Sequence, residues 1–413
     1  MKRLMIGTLV LLPSLTAEAA DSTSATNDAA LVEQGRYLAR TADCAACHTT
    51  DDGAPFAGGV PIASPFGTIY GTNITPDPDY GIGNYSADEF YHAITRGEVP
   101  DGRQLYPAMP YTSYHLMRRE DSDAIYAFLM SREPIARAAP PTDLGFPFNQ
   151  RWGLTLWNIV YADDLAPTPA EDRSPAWRRG QYLVEVMGHC GECHTPRGWT
   201  GAMDLDRHLE GGMLEGYLAP SLRAEALAER GWNPHDLAQF LQQGMSPQGS
   251  AFNEMYPVMH HSTQYLQDDD LAAMATYLLG DAAPEPRTIE VKALDAVGES
   301  ATRGRQRYLE TCAGCHGGDG KGKPEAAVAM AGNTTLRLKD PTNLLRVTLD
   351  GIEERDFPGF SRLQQMPGFG DDLSDAEIAD LSNYLRETWG GQPGNVSPQD
   401  VADARVSGTH DDP

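Results

Sequence analysis

All six cysteines of this 413-residue chain fall in three copies of one five-residue pattern, and no other feature restricts its fold as tightly. The copies are CAACH from Cys44 to His48, CGECH from Cys190 to His194 and CAGCH from Cys312 to His316. No cysteine is left over to staple one region to another. Each thiol pair is tied instead to the histidine directly behind it, so the chain divides into three units, each organised around its own cluster. A chain of this length has room for about two to four compact cores, in keeping with that division.

The repetition extends beyond the cysteines. A short helical pattern precedes each motif: LVEQGRYLA before Cys44, WRRGQYLVEV before Cys190 and TRGRQRYLE before Cys312, each with Gly and then Tyr. Downstream, start and stop residues predict one capped helix per unit. Ser86 and Glu89 form a capping-box pattern ahead of FYHAITR, ended by Gly97; Asn233 and Pro234 open HDLAQFLQQ, ended by Gly244; Asp340 and Pro341 open TNLLRVTLD, ended by Gly351. The step from cap to terminal glycine is eleven residues in all three. Each unit closes with an amphipathic helix, in EDSDAIYAFLMSR, DDDLAAMATYLLG and LSDAEIADLSNYLRETW, the last opened by Ser374 with Glu377. Tyr37, Tyr182, Tyr277, Tyr308 and Tyr384 read as packing aromatics among these helices.

The motif itself admits few chemistries. A zinc site needs four ligands in paired half-sites, and three groups more than a hundred residues apart do not pair. A redox dithiol calls for a βαβ setting, which capped helices and Gly-rich loops do not offer. Covalent c-type haem fits: two thiols bond to the porphyrin vinyl groups and the adjacent histidine ligates the iron from one face. The expected covalent attachments are Cys44 and Cys47, Cys190 and Cys193, and Cys312 and Cys315, with His48, His194 and His316 on iron. GGDGKGK, Gly317 to Lys323, follows a motif and lacks P-loop spacing, so it reads as a loop bordering haem.

The opposite face of each iron needs a ligand, and each unit places a methionine in an irregular stretch after its capped helix. Met109, Met255 and Met366 follow their histidines by 61, 61 and 50 residues. They are the expected sixth ligands, with Met259 a competitor to Met255, and His115, His260 and His261 the bis-histidine alternatives. A thioether favours Fe(II) and raises the potential, and a six-coordinate iron has no open position for oxygen or peroxide. The expected task is therefore moving single electrons.

Lys2 and Arg3 before the apolar run Leu4 to Leu12, with AEA at Ala17 to Ala19, read as a secretory signal peptide over 1–20. Pro13 and Ser14 cut the run short of a spanning helix. The expected divisions are then 27–131, 174–280 and 301–390 for the three units, 132–173 and 281–300 for connectors, and 391–413 for a disordered tail. Trp152 and Trp157 suggest that part of the first connector packs on a unit. The net charge of −26 excludes nucleic acid and favours a basic docking surface.

Together PFGTIYGTNITPD, LYPAMPY, GHCGECHTPRG, HHSTQYL and MPGFGDDLSDAEIADLSNYLR resemble the triple-haem cytochrome c subunit of bacterial membrane-bound dehydrogenases. These include quinoprotein alcohol dehydrogenase and the flavin-dependent gluconate, sorbitol and fructose dehydrogenases. The resemblance covers residues 29–390. It implies an all-α fold of three tandem class I-like cytochrome c domains with loop-rich connections, carrying three haem c. It also implies a PQQ- or FAD-dependent catalytic partner on the periplasmic face of the inner membrane, peripheral membrane association, and delivery of electrons to ubiquinone. Two places depart from the family: Ala327 and Val328 replace its aromatic-Pro pair, and the tail after Gly390 shows no amphipathic helix for membrane attachment. A free-standing periplasmic carrier serving a terminal oxidase is the alternative. A haem peroxidase would need one unit without a methionine ligand, with Met255 the position to examine.

Overall fold

The computed structural model describes residues 18–161, 172–291 and 298–408. Most of the expected signal peptide, parts of both connectors and the last five residues lie outside them.

In each unit the helix leading to the motif crosses the closing helix at a glycine. Glu18–Thr41 crosses Arg119–Met130, Pro175–Gln181 crosses Asp268–Leu279, and Glu299–Arg307 crosses Asp375–Leu385. A Cβ on Gly35 would lie 1.8 Å from the carbonyl oxygen of Ala124; on Gly180 or Gly304 it would lie 1.9 Å from that of Ala273 or Asp380. Only a residue without a side chain lets two backbones approach that closely, which explains the recurring glycine before each motif.

The capped helices form where their end signals stand. Ser86 and Glu89 bond reciprocally at the start of Ala87–Arg96, and Gly97 ends it at φ 68°. Asn233 accepts from the Asp236 N–H to start Pro234–Gln243, ended by Gly244 at φ 70°. The third differs in detail. Pro341 holds the cap position of Thr342–Asp350, and the Asp340 carboxylate accepts from the N–H and hydroxyl of Thr342 at 2.8 and 2.6 Å.

Buried apolar side chains collect into one cluster per unit, with a smaller fourth where Met259 of the second unit meets Phe357 of the third. The first cluster recruits Tyr182, Val186 and Met187 from the second unit, so the two are packed together. The five tyrosines pack in these clusters as expected, and four of them also place the hydroxyl on a partner. Tyr37 and Tyr182 reach carboxylates across this contact, Tyr277 donates to Glu185, and Tyr308 donates to the Gly317 carbonyl at 2.5 Å.

The all-α expectation holds in that the chain is mainly helical, with small sheets added to it. The described residues are mainly helical but hold five small antiparallel sheets, among them Pro61–Ser64 with Gly67–Tyr70 and Gly211–Leu214 with Tyr217–Pro220. Each follows a motif, turning at residues such as Gly67 and Gly216 with positive φ. Strands of four residues leave too short a period to read in the sequence.

Part of the first connector does pack. The helix Trp152–Tyr161 accepts the Tyr111 hydroxyl on Asn158 at 2.8 Å, and Trp157 donates to the Thr200 carbonyl at 3.1 Å. Trp152 turns outward, 71% exposed. The tail contradicts its expectation of disorder over the described residues: Pro398–Gly408 is a helix, with Val396 and Val401 buried in the third core. Ser397 and Asp400 cap it reciprocally, and Arg405 pairs with Asp375 at 2.7 Å. Among the described residues no helix is long and apolar enough to cross a membrane.

Candidate haem sites

The motifs end in single helical turns, Cys44–His48, Gly191–His194 and Ala313–His316. In all three the histidine Nδ1 faces a backbone carbonyl oxygen: Thr72 at 2.6 Å from His48, Pro220 at 2.6 Å from His194 and Val328 at 3.0 Å from His316. A carbonyl only accepts, so Nδ1 carries the proton and Nε2 keeps its lone pair. This is how a second partner fixes the tautomer and ring direction of a metal-binding histidine. Val328 stands at the departure from the family pattern, and the contact survives there because the acceptor is main chain.

All six cysteines are free thiols. Burial pushes those of Cys44, Cys47 and Cys190 up to about 12 and that of Cys193 to about 11, and it raises Cys312 as well. Burial lowers His48 and His316 and takes His194 to about 4, keeping the imidazoles neutral.

One continuous cavity of about 430 Å³ joins the second and third motifs. Cys190, Cys193, His194 and Met255 line it from one side, and Cys312, Cys315, His316 and Met366 from the other. Met259 is not part of this lining: it is fully buried behind it, against Ala251 and Phe357. Neither His260 nor His261 lines it: His260 stacks on Tyr256 with ring centroids 5.4 Å apart. In the first unit Met109 sits in the turn between Tyr106 and Tyr111, and it borders the same core cluster as Cys44. His115 is held by its own turn, with Nδ1 2.7 Å from the Thr112 carbonyl.

The first and second motifs are also neighbours. The negative charge of an ionised Cys193 would raise the Cys47 thiol further. Thr112 and Ser113, just beyond Met109, donate to Glu192 inside the second motif at 3.0 and 2.9 Å. Two cavity residues escaped the sequence reading. His189 packs edge-on to Tyr114 at 5.5 Å. Arg230 is 6% exposed, donates through one terminal nitrogen to the Ser221 carbonyl, and leaves Nε without a partner. Nothing around Arg230 in the sequence marks it, because its cavity is built from segments far apart in the chain.

Residues 32–133 and 301–389 match the cytochrome c family. The cytochrome c subunit of quinone alcohol dehydrogenase from Gluconobacter oxydans (strain 621H) is 40% identical over 400 residues, 92% of this chain and 83% of that protein. The gluconate 2-dehydrogenase cytochrome c subunit of Pantoea cypripedii is 41% identical over 98% of this chain and 95% of its own length. The chain belongs to the family of dehydrogenase cytochrome c subunits. The fructose dehydrogenase cytochrome subunit of Gluconobacter japonicus, 35% identical over 96% of this cytochrome c subunit and 87% of its own length, lies in the same group.

Membership implies covalent haem c, and the residues present fit it. This cytochrome c subunit offers paired free thiols, histidines with Nε2 available, and an apolar cavity containing one unneutralised guanidinium. A large apolar ring bearing carboxylates matches that set.

Proposed function

We propose that the chain is a periplasmic electron-transfer subunit with three covalent haem c groups, passing electrons from a PQQ- or FAD-dependent dehydrogenase subunit towards ubiquinone. Relatives named for alcohol, gluconate and fructose dehydrogenases, matched over nearly their whole length, support a CH–OH compound as the donor class, and a nicotinate dehydrogenase subunit is matched over 30% of its own length. Cys44 with Cys47, Cys190 with Cys193, and Cys312 with Cys315 hold the groups; His48 with Met109, His194 with Met255, and His316 with Met366 take the iron positions. Haem c held this way supplies a one-electron Fe(II)/Fe(III) couple of raised potential.

One observation carries the reading: in all three units Nδ1 of the motif histidine is spent on a main-chain carbonyl. The recurrence includes the second unit, which lies outside the family match at 32–133 and 301–389. It supports three sites in place of two. The lining of the shared cavity supports Met255 over Met259.

The chain's own residues do three things here. The carbonyl contacts hold each imidazole neutral and aimed, while Met109, Met255 and Met366 would offer the iron a soft sulfur. Apolar side chains such as Leu237, Phe240 and Leu344 exclude water, which limits reorganisation when charge changes. The closeness of motif one to two, and of two to three, supports a linear relay with the second unit in the middle.

Intact mass and a haem stain test the reading on protein exported with its maturation system. The expected product is the processed chain plus three haems, co-eluting from gently solubilised membranes with a larger catalytic chain. A bare-chain mass overturns the haem assignment. A haem-loaded chain that elutes alone overturns the subunit assignment.

A further inference from the structure

The cavity between the second and third motifs is walled mainly by carbon, yet it contains a buried cation. Arg230 directly follows the helix Ala224–Glu229, as its C-cap. Only 6% of the residue is exposed, and a guanidinium stays protonated under all ordinary conditions. No carboxylate of the described residues comes within ion-pair distance of it. One terminal nitrogen is used by the Ser221 carbonyl, and Nε has no acceptor at all. Placing such a charge in a low-dielectric setting costs several kcal/mol unless an anion answers it. Burial pulls the group down to about 10, so it stays charged at neutral pH. Arg230 is also near enough to lower the histidine of the second motif, His194, electrostatically.

The surroundings define the anion. Leu183, Leu227, Trp232, Leu237 and Phe240 offer no hydrogen bonds to a small solvated ion, but they fit a large apolar body with an acidic edge. A guanidinium fork prefers a carboxylate.

We propose that Arg230 is the carboxylate-binding residue of the second site: it holds a propionate of the haem bonded to Cys190 and Cys193, and by neutralising it raises that haem's potential. This deepens the haem reading above and rests on it. The other units differ at this place. Counting back fourteen residues from the glycine that ends the next helix (Gly97, Gly244 and Gly351) gives Gly83 in the first unit, Arg230 in the second and Arg337 in the third. Arg337 does not line the cavity, and one of its terminal nitrogens goes to the Arg287 carbonyl at 3.1 Å. Arg337 is therefore a control for a general loss of positive charge.

The test uses the full-length, haem-loaded protein with Arg230→Gln, Arg230→Lys and Arg337→Gln. Haem content is counted first, by intact mass, and then the midpoints are measured spectroelectrochemically between pH 5 and 9. For Arg230→Gln one midpoint is expected to fall by a factor of ten in its reduction equilibrium, about 59 mV for a one-electron couple. That midpoint is also expected to acquire a new pH dependence, because a propionate without its cation takes up a proton at higher pH. Arg230→Lys is expected to restore most of the midpoint, and it provides the reading if the Gln variant does not fold. Arg337→Gln should leave the midpoint unchanged. Full haem content with unaltered midpoints and pH profile in both Arg230 variants overturns the proposal. So does an equal shift in Arg337→Gln, which would mark a diffuse charge effect. Wild-type protein without haem overturns the underlying reading, and this proposal with it, before any midpoint is recorded.

Discussion

Tyr37 of the first unit donates its hydroxyl to Asp270 of the second at 2.6 Å, and Tyr182 of the second donates to Asp121 of the first at the same distance. Each hydroxyl also accepts the N–H of the residue capping the partner's closing helix, Gln267 at 3.2 Å and Arg118 at 3.3 Å. The two contacts are mirror versions of one another, so the first two units join about a local pseudo-twofold. Their leading and closing helices serve both as each unit's frame and as the joint between them.

Removing one hydroxyl should therefore loosen the pair. Tyr182→Phe leaves Asp121, only 6% exposed, without its donor, and a cost of about 1–3 kcal/mol is expected. Thermal unfolding read by the haem band should show the first and second units shifting together, and a shift confined to the second would contradict the joint.

Acid should weaken the same contact. Burial of Asp270 pushes its carboxyl up, but hydrogen bonds from Arg179 and Tyr37 outweigh that and hold it below the ordinary value. A carboxylate depressed in the folded chain stabilises it above the unfolded value, about 3.9, and that contribution disappears as pH falls through the lower folded value. Melting temperature measured from pH 6 downward should fall less steeply in Asp270→Asn than in the wild type, from a lower starting point. Equal slopes would assign the acid sensitivity elsewhere.

The sulfur assignment can be read one haem at a time. Met109→Leu, Met255→Leu and Met366→Leu are each expected to open one iron of three, seen as carbon monoxide binding to one haem equivalent in the reduced protein. Met259→Leu, a near volume-conserving change at a fully buried position, should open none. Carbon monoxide binding in Met259→Leu and none in Met255→Leu would reverse the assignment.

The helix crossings tolerate no side chain. Gly180→Ala brings a Cβ to 1.9 Å from the Ala273 carbonyl oxygen, and forcing the helices apart should cost about 3 kcal/mol or more. Gly102→Ala, where a Cβ meets nothing within 4 Å but φ is 80°, should show only the smaller cost of the left-handed backbone. Denaturation midpoints of the two variants give the comparison.

Closure of the third core by the terminal helix predicts that Val401→Ala loses about 2 kcal/mol. Chemical denaturation should place that loss in the third unit alone.

Much of this was legible from residues acting over one or two turns. The capping boxes at Ser86 and Ser374 operate between positions three apart, so the sequence displays them whole. The tail carries the same signal in Ser397 to Asp400, with Pro398 between, but its Gly, Pro and Asp content outweighed it in the reading. The short hairpins after the motifs lacked enough length to show a period. What no local pattern could reveal was assembly: Tyr37 meets a carboxylate 233 positions away, and Arg230 lines one cavity with sulfur and imidazole contributed by four separate stretches.

The hollow shared by the second and third motifs has one further meaning. The second and third motifs share one lining, so in the proposed relay an electron passing between them needs no domain to turn. In the relay proposed above the second unit stands between the other two, so damage to its walls would be felt at the third motif as well.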